Sequence, residues 1–324
     1  MQCERRDFFD VWEPPEITNS IIGKGKYGVV YASADGGTAL KQVKLRQTIK
    51  NKKTAASLAR MTRQLARECL VFEGLTVMAL RGACTHYPLM YSIVRDFSDS
   101  ILTVNIFMEK FEGSLASNPG SLLQSEHDWL SMLHQVSTAV WSASRAFQLS
   151  HCDLYPKNVL FRRVPPQRLA YKTYHEVITP LTIFYAVTDY GVCASPCFDA
   201  TDKPEVCHSL PIEVTASLSE LRTTKHILCY DVPANVRDYY MLLSWVKRPA
   251  DFGLPPSPEG LVEAAQDCLQ RLQNVKSADD VDSILRFFFK GMRTEEGSRE
   301  IGADVGKVAV ARTEFEILTQ HSTV

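Results

Sequence analysis

The segment His151-Cys152-Asp153-Leu154-Tyr155-Pro156-Lys157-Asn158 puts a carboxylate, an ammonium and an amide within one short stretch. A tight loop there can aim Asp153 at a substrate hydroxyl while Asn158 supports a magnesium ion. Lys157 can neutralise charge on a transferring phosphoryl group. Asp189, in Thr188-Asp189-Tyr190-Gly191, follows an apolar run and can supply a second metal contact. Magnesium favours oxygen ligands and keeps several waters, so one carboxylate and one amide oxygen beside nucleotide phosphates suit it. Asp and Asn also serve ordinary turns. His151 fits an architectural role, holding the curve of the loop through its backbone.

Far upstream, Ile22-Gly23-Lys24-Gly25-Lys26-Tyr27-Gly28-Val29-Val30 is a glycine turn running into an apolar strand. Gly23, Gly25 and Gly28 let a backbone approach an anion without Cβ clashes. Successive N–H groups then face phosphate oxygens. The same spacing can open a dinucleotide-binding helix. Here Val29-Val30-Tyr31-Ala32 continues as strand and Asp35-Gly36-Gly37 signals a hairpin, which disfavours that alternative. Lys41, in Ala39-Leu40-Lys41, ends an apolar strand segment. Its expected partner is Glu68, with Glu73 as competitor, in an ion pair that holds Lys41 against phosphates.

The elements that position these residues follow from periodicity. Residues 21–45 read as strands. Residues 53–80 read as a helix, with Leu58, Met61, Leu65, Cys69, Phe72 and Leu75 on one stripe. Met90 to Phe97 and Leu102 to Phe111 read as an antiparallel pair. Helices are expected over 126–149, 235–247, 259–275 and 279–290. Residues 162–181, with Pro165-Pro166, read as a surface insertion between the strands at 159–161 and 182–188. Residues 192–230 read as irregular.

These pieces, in this order, resemble the eukaryotic-type protein kinase superfamily. The resemblance rests on the glycine turn, Ala39-Leu40-Lys41, Glu68, Met108-Glu109-Lys110-Phe111, His151-Cys152-Asp153 with Asn158, and Asp189-Tyr190-Gly191, and it covers roughly 17–290. It implies an α+β, two-lobed fold: a small antiparallel sheet with one main helix (17–110) and a larger, mostly helical lobe (111–290). Residues 1–16 would be a lead-in and 291–324 an extension or final elements. It implies ATP and Mg2+ as cofactors and a protein as acceptor, with serine or threonine as the expected hydroxyl. Ile22, Gly23, Gly25, Gly28, Val30, Ala39, Lys41 and Glu68 would serve the nucleotide. Met108 would guard the adenine pocket, and Glu109 and Phe111 would meet the adenine edge through backbone groups. Asp153, Lys41 and Lys157 would be catalytic, and Asn158 with Asp189 would hold the metal. Asp238 would bind backbone near His151.

Departures from the family pattern are expected to matter. Cys152 replaces an arginine that pairs with a phosphate on the activation segment. Tyr190 replaces phenylalanine and brings a hydroxyl that needs a partner if buried. Tyr155 stands where a lysine is usual, and Lys157 offers the charge two positions later. Leu210-Pro211-Ile212-Glu213 is a weak counterpart of an anchoring motif, with Arg248 as candidate partner for Glu213. Two alternatives follow: an ATP-binding pseudokinase or scaffold, and a small-molecule kinase. The divergent form is similar to kinases encoded by large DNA viruses, which implies action inside a host cell.

Composition is compatible with all of this. The 324 residues carry a formal charge of -1, so the global balance calls for neither nucleic acid nor an anionic membrane as partner. The nine cysteines are odd in number and irregularly spaced, with no apparent leader segment. This predicts reduced thiols in the cytoplasm or nucleus. Cys193, Cys197, Cys207 and His208 lack the tight paired spacing of zinc sites. No apolar run is long enough to cross a bilayer.

Overall fold

A computed structural model describes residues 13–25, 28–46, 52–98, 100–172, 176–195, 236–275, 277–289 and 300–301. The expected motif at Leu210–Glu213, the candidate ligands Cys197, Cys207 and His208, and most of 192–230 lie outside these residues. So do nearly all of 291–324. The chain is α+β and divides into two compact units. One comprises residues up to Thr76 together with Pro88–Phe111; the other comprises Val77–Tyr87 and the chain from Glu112 onward.

The first unit is a five-stranded antiparallel sheet carrying one helix. Strands β1 (Ile17–Lys24), β2 (Gly28–Ser33) and β3 (Thr38–Arg46) precede helix α1 (Lys52–Leu80), and β4 (Met90–Ser98) and β5 (Ile101–Glu109) follow it. The spatial order is β1-β2-β3-β5-β4. The β2–β3 hairpin closes where the run Asp35-Gly36-Gly37 predicts a turn. Asp35 accepts hydrogen bonds from Ser33, Gly37 and Thr38, and Gly36 takes a positive φ of 72°. The Ser33 hydroxyl helps hold the Asp35 carboxyl down at about 2.

Side chains alternate across a sheet, so Ala39, Lys41, Val43 and Leu45 share one face. The stripe Leu58, Met61, Leu65, Cys69 and Phe72 on α1 packs against that face, together with Val104, Ile106 and Met108 of β5. Lys41 therefore enters the layer between sheet and helix, where its charge needs a partner.

The second unit contains strand β6 (Gly113–Ser114), short helix α2 (Pro119–Leu122), helix α3 (Glu126–Phe147), strands β7 (Val159–Lys172) and β8 (Glu176–Val187), helices α4 (Val236–Lys247), α5 (Glu259–Leu272) and α6 (Ala278–Phe288), and strand β9 (Glu300–Ile301). Ser125 and Asp128 form a capping box that starts α3, and Gln148, in the left-handed region, ends it. Buried Gln135 of α3 donates to Ile183 O and accepts from Tyr185 N–H, which fixes the helix on strand β8.

The sequence left the internal form of residues 162–181 open. The insertion expected there is built from strand over 162–172 and 176–181: β7 and β8 pair antiparallel from Val159↔Val187 to Lys172↔Glu176. The register shifts between Arg163 and Gln167, which accommodates Pro165-Pro166, since proline cannot donate to a ladder. The first unit also differs from the continuous span 17–110, because Val77–Tyr87 belongs to the second unit. Hydrogen bonds explain this: Tyr87 donates its hydroxyl to Ala139 O, His86 Nδ1 bonds Tyr185 O at 2.8 Å, and Val187 N–H bonds His86 O. No helix among the described residues is long and apolar enough to cross a membrane.

Candidate functional site

The expected site residues fall into two groups, one in each unit. In the first unit, Lys41 Nζ pairs with Glu68 Oε1. Their side chains are only 17% and 10% accessible, so the pair is mostly withdrawn from water. The geometry follows from two periodicities. Lys41 has the strand parity of core residues Ala39 and Val43. Glu68 follows Leu65 by three residues and precedes Phe72 by four, on the buried stripe of α1.

The three glycines of the β1–β2 turn differ in what constrains them. Gly25 N–H bonds Gly28 O at 2.9 Å and closes the turn. A Cβ on Gly28 would lie 2.6 Å from Gln42 O of the neighbouring strand, so the sheet itself demands glycine there. A Cβ on Gly23 would meet only Val30, at 3.4 Å, and one on Gly25 only Gly28 O, at 3.9 Å. Among the described residues, sheet packing does not account for glycine at these two positions. Lys26 and Tyr27 lie outside the described residues.

Ile22 is exposed on β1, Val30 is half-buried, and Ala39 and Met108 are buried in the core of the unit. Glu109 N–H is bonded to Leu89 O and Lys110 N–H to Gly37 O. The Glu109 carboxylate accepts from Leu89 N–H at 3.2 Å. Phe111 is buried where the unit ends.

In the second unit, three predicted residues meet at one carboxylate. Asp153 Oδ2 lies 3.3 Å from Lys157 Nζ and accepts from Asn158 Nδ2 at 3.1 Å. Asn158 Nδ2 also donates to Asp153 O at 2.8 Å. A carbonyl can only accept, so this bond identifies the nitrogen end of the amide. The amide oxygen is then the end that Asp153 does not engage.

The backbone around this cluster is held from several sides. Asp238, buried at the start of α4, accepts from His151 N–H at 2.7 Å, Cys152 N–H at 3.0 Å and Ser150 Oγ–H at 3.1 Å. Burial pushes its carboxyl above the usual carboxylate range, and the backbone donors oppose that rise. His151 Nε2 donates to Thr188 O at 2.9 Å, and Asp153 N–H donates to His151 Nδ1 at 3.3 Å. The ring thus carries its proton on Nε2 and bridges two loops. Thr188 N–H in turn bonds Asn158 O at 3.0 Å. Thr188 ties the segment before Asp189 to Asn158 and to His151, through backbone atoms alone. Sequence reading missed it, because a backbone role carries no side-chain signature.

Cys152 and Asp189 both take positive φ, 62° and 68°. For residues with a Cβ this conformation costs roughly 1–2 kcal/mol each. The Asp238 bonds and the Thr188 bonds lie directly beside these two strained positions. Tyr190 is fully enclosed; its hydroxyl donates to Val187 O, so the partner its burial requires is present. Burial holds that hydroxyl protonated, far above its usual range.

The anchoring ion pair expected between Glu213 and Arg248 falls partly outside the described residues. Arg248 Nε lies 3.7 Å from Asp251 Oδ2. Among the described residues there is no cluster of three or more His, Cys, Asp or Glu side chains able to hold a metal. A scan of protein-family models finds no match to this chain, and a search of curated proteins finds none.

Proposed function

We propose that the chain is a protein kinase, transferring the γ-phosphoryl group of ATP to a protein hydroxyl, serine or threonine by preference. On this reading the two units are the lobes of a kinase-like fold. The observation that carries it is the convergence of Lys157 and Asn158 on Asp153, on backbone clamped by Asp238, His151 and Thr188. A carboxylate beside a cation and an amide, held on strained backbone, suits positioning chemistry.

Each residue has a task in that reaction. Asp153 orients the acceptor hydroxyl and takes its proton as the oxygen attacks the γ-phosphorus. The bond from that phosphorus to the bridging oxygen breaks, and ADP leaves. Lys157 faces the transferring oxygens from beside Asp153, filling the role left by Tyr155. Lys41, fixed by Glu68, meets the α and β phosphates, and the turn at Gly23, Gly25 and Gly28 covers them. Ile22, Val30, Ala39 and Met108 provide apolar contacts for adenine, with Glu109 and Phe111 at its edge.

Asn158 and Asp189 suit Mg2+: both offer hard oxygen donors, and the Asn158 nitrogen is turned toward Asp153. Bound there, the ion would balance charge on the phosphate oxygens. None of Cys69, Cys84, Cys152, Cys193 and Cys268 is in a disulfide, which suits an intracellular enzyme.

The test is Asp153→Asn assayed beside wild type with radiolabelled ATP and mixed protein acceptors. Nucleotide binding should persist while transfer falls by about 10²–10⁴-fold. Equal transfer by the variant would remove Asp153 from its role. Binding without transfer by wild type would favour a scaffold.

A further inference from the structure

We propose that Tyr155 and Phe252 form an apolar subsite that selects the acceptor by a side chain within three residues of the phosphorylated hydroxyl; this rests on the kinase reading. The two rings lie 6.1 Å apart between centroids, tilted by 45°. Both are half-buried, so each keeps an accessible part. Phe252 lies in the short 3-10 turn Pro249–Phe252 and packs on Trp245 of α4, 6.3 Å between centroids, a side chain with no solvent exposure. Tyr155 is set between the buried residues Leu154 and Pro156. Phe252 therefore rests on a buried ring, and the backbone of Tyr155 is anchored on both sides.

Lys157 gives the distance to the chemistry. Its ammonium is 3.3 Å from Asp153 Oδ2 and 5.8 Å from the Tyr155 ring centroid. The ring consequently stands within about 9 Å of the carboxylate that meets the acceptor hydroxyl. An extended peptide advances about 3.3 Å per residue, so the ring lies no more than three residues along the acceptor from the hydroxyl. Asp251 adjoins Phe252 in the chain, and its carboxylate lies 3.7 Å from Arg248 Nε, so the charge next to Phe252 in sequence is paired. The chemistry favoured is an aliphatic or aromatic side chain, such as leucine, methionine or phenylalanine, on a protein acceptor.

A serine/threonine peptide library, varied at each of the three positions on either side of the acceptor, tests this. Wild type should favour apolar residues over glycine at one offset of up to three by about tenfold in kcat/KM. Phe252→Ala should bring the apolar peptides down to the glycine peptides through KM, and Phe252→Leu should keep the preference. Should Phe252→Ala melt early for want of its packing on Trp245, Tyr155→Ser gives the same readout from the other ring. The inference is overturned if wild type shows no apolar preference at any offset up to three, or if the preference survives both variants. Transfer without preference sinks this subsite alone; no transfer to any peptide or protein sinks the kinase reading with it.

Discussion

Gly25 and Gly28 stand three residues apart in one turn and answer to different constraints. Gly28 is held by the Gln42 carbonyl of the adjoining strand, whereas Gly25 has room for a methyl among its described neighbours. Gly28→Ala should therefore cost stability, about 1–3 kcal/mol, as the strands move apart. Gly25→Ala should unfold at the same denaturant concentration as wild type and, under the proposed kinase function, bind ATP more weakly. Urea titration and a nucleotide-binding assay on both variants separate the two effects. Legibility varies in the same way from residue to residue. Glu68 could be chosen over Glu73 because the apolar stripe of α1 runs through 65 and 72, and a helix places 68 on it. Asp153, Lys157 and Asn158 were visible as a cluster of chemical types. Thr188 was not, since its N–H and C=O would be the same for almost any side chain.

Elements with a clean period were readable, and elements joined by irregular pairing were not. The β4–β5 hairpin and the helices α1 and α3 announce themselves by spacing alone. The long β7–β8 ribbon does not. Its register shift between Arg163 and Gln167 breaks the two-residue alternation that marks a strand, and Pro165-Pro166 imitates a loop. Side-chain links between elements are equally hidden. Asp282 of α6 accepts from Trp141 Nε1 at 2.9 Å and from Arg145 Nη2 at 2.5 Å, both on α3. The sequence separation of 141 and 137 residues conceals that contact. Asp282→Ala would take one acceptor from the largely enclosed Trp141 N–H and one carboxylate partner from Arg145. The expected loss is on the order of 2–3 kcal/mol, read from the urea midpoint. Asp282→Asn, which keeps an acceptor for the indole, should recover part of it.

At the scale of the whole molecule, His86 ties stability to pH. It is fully enclosed, bonded to Tyr185 O and stacked on Phe184 with centroids 4.8 Å apart. Burial lowers its pKa from 6.5 to about 4. The folded chain thus keeps His86 neutral while the unfolded chain takes up a proton below pH 6.5. Its contribution is present above pH 6.5 and is lost as pH falls toward 4, by up to about 3 kcal/mol. Thermal midpoints should drop across that window, and His86→Gln should flatten the drop relative to its own value at pH 7.5. An unchanged slope would mean that other groups dominate. His86 also belongs to the stretch Val77–Tyr87, which sits inside the sequence of the first unit but is bonded into the core of the second. Anyone cutting the gene inherits this interleaving. A fragment ending near residue 111 would express the sheet together with a plug torn from its socket, and a fragment beginning at 112 would be made with the socket open. The halves are not interchangeable cassettes, and chimaeras spliced at that seam should aggregate unless the eleven-residue plug travels with its own host.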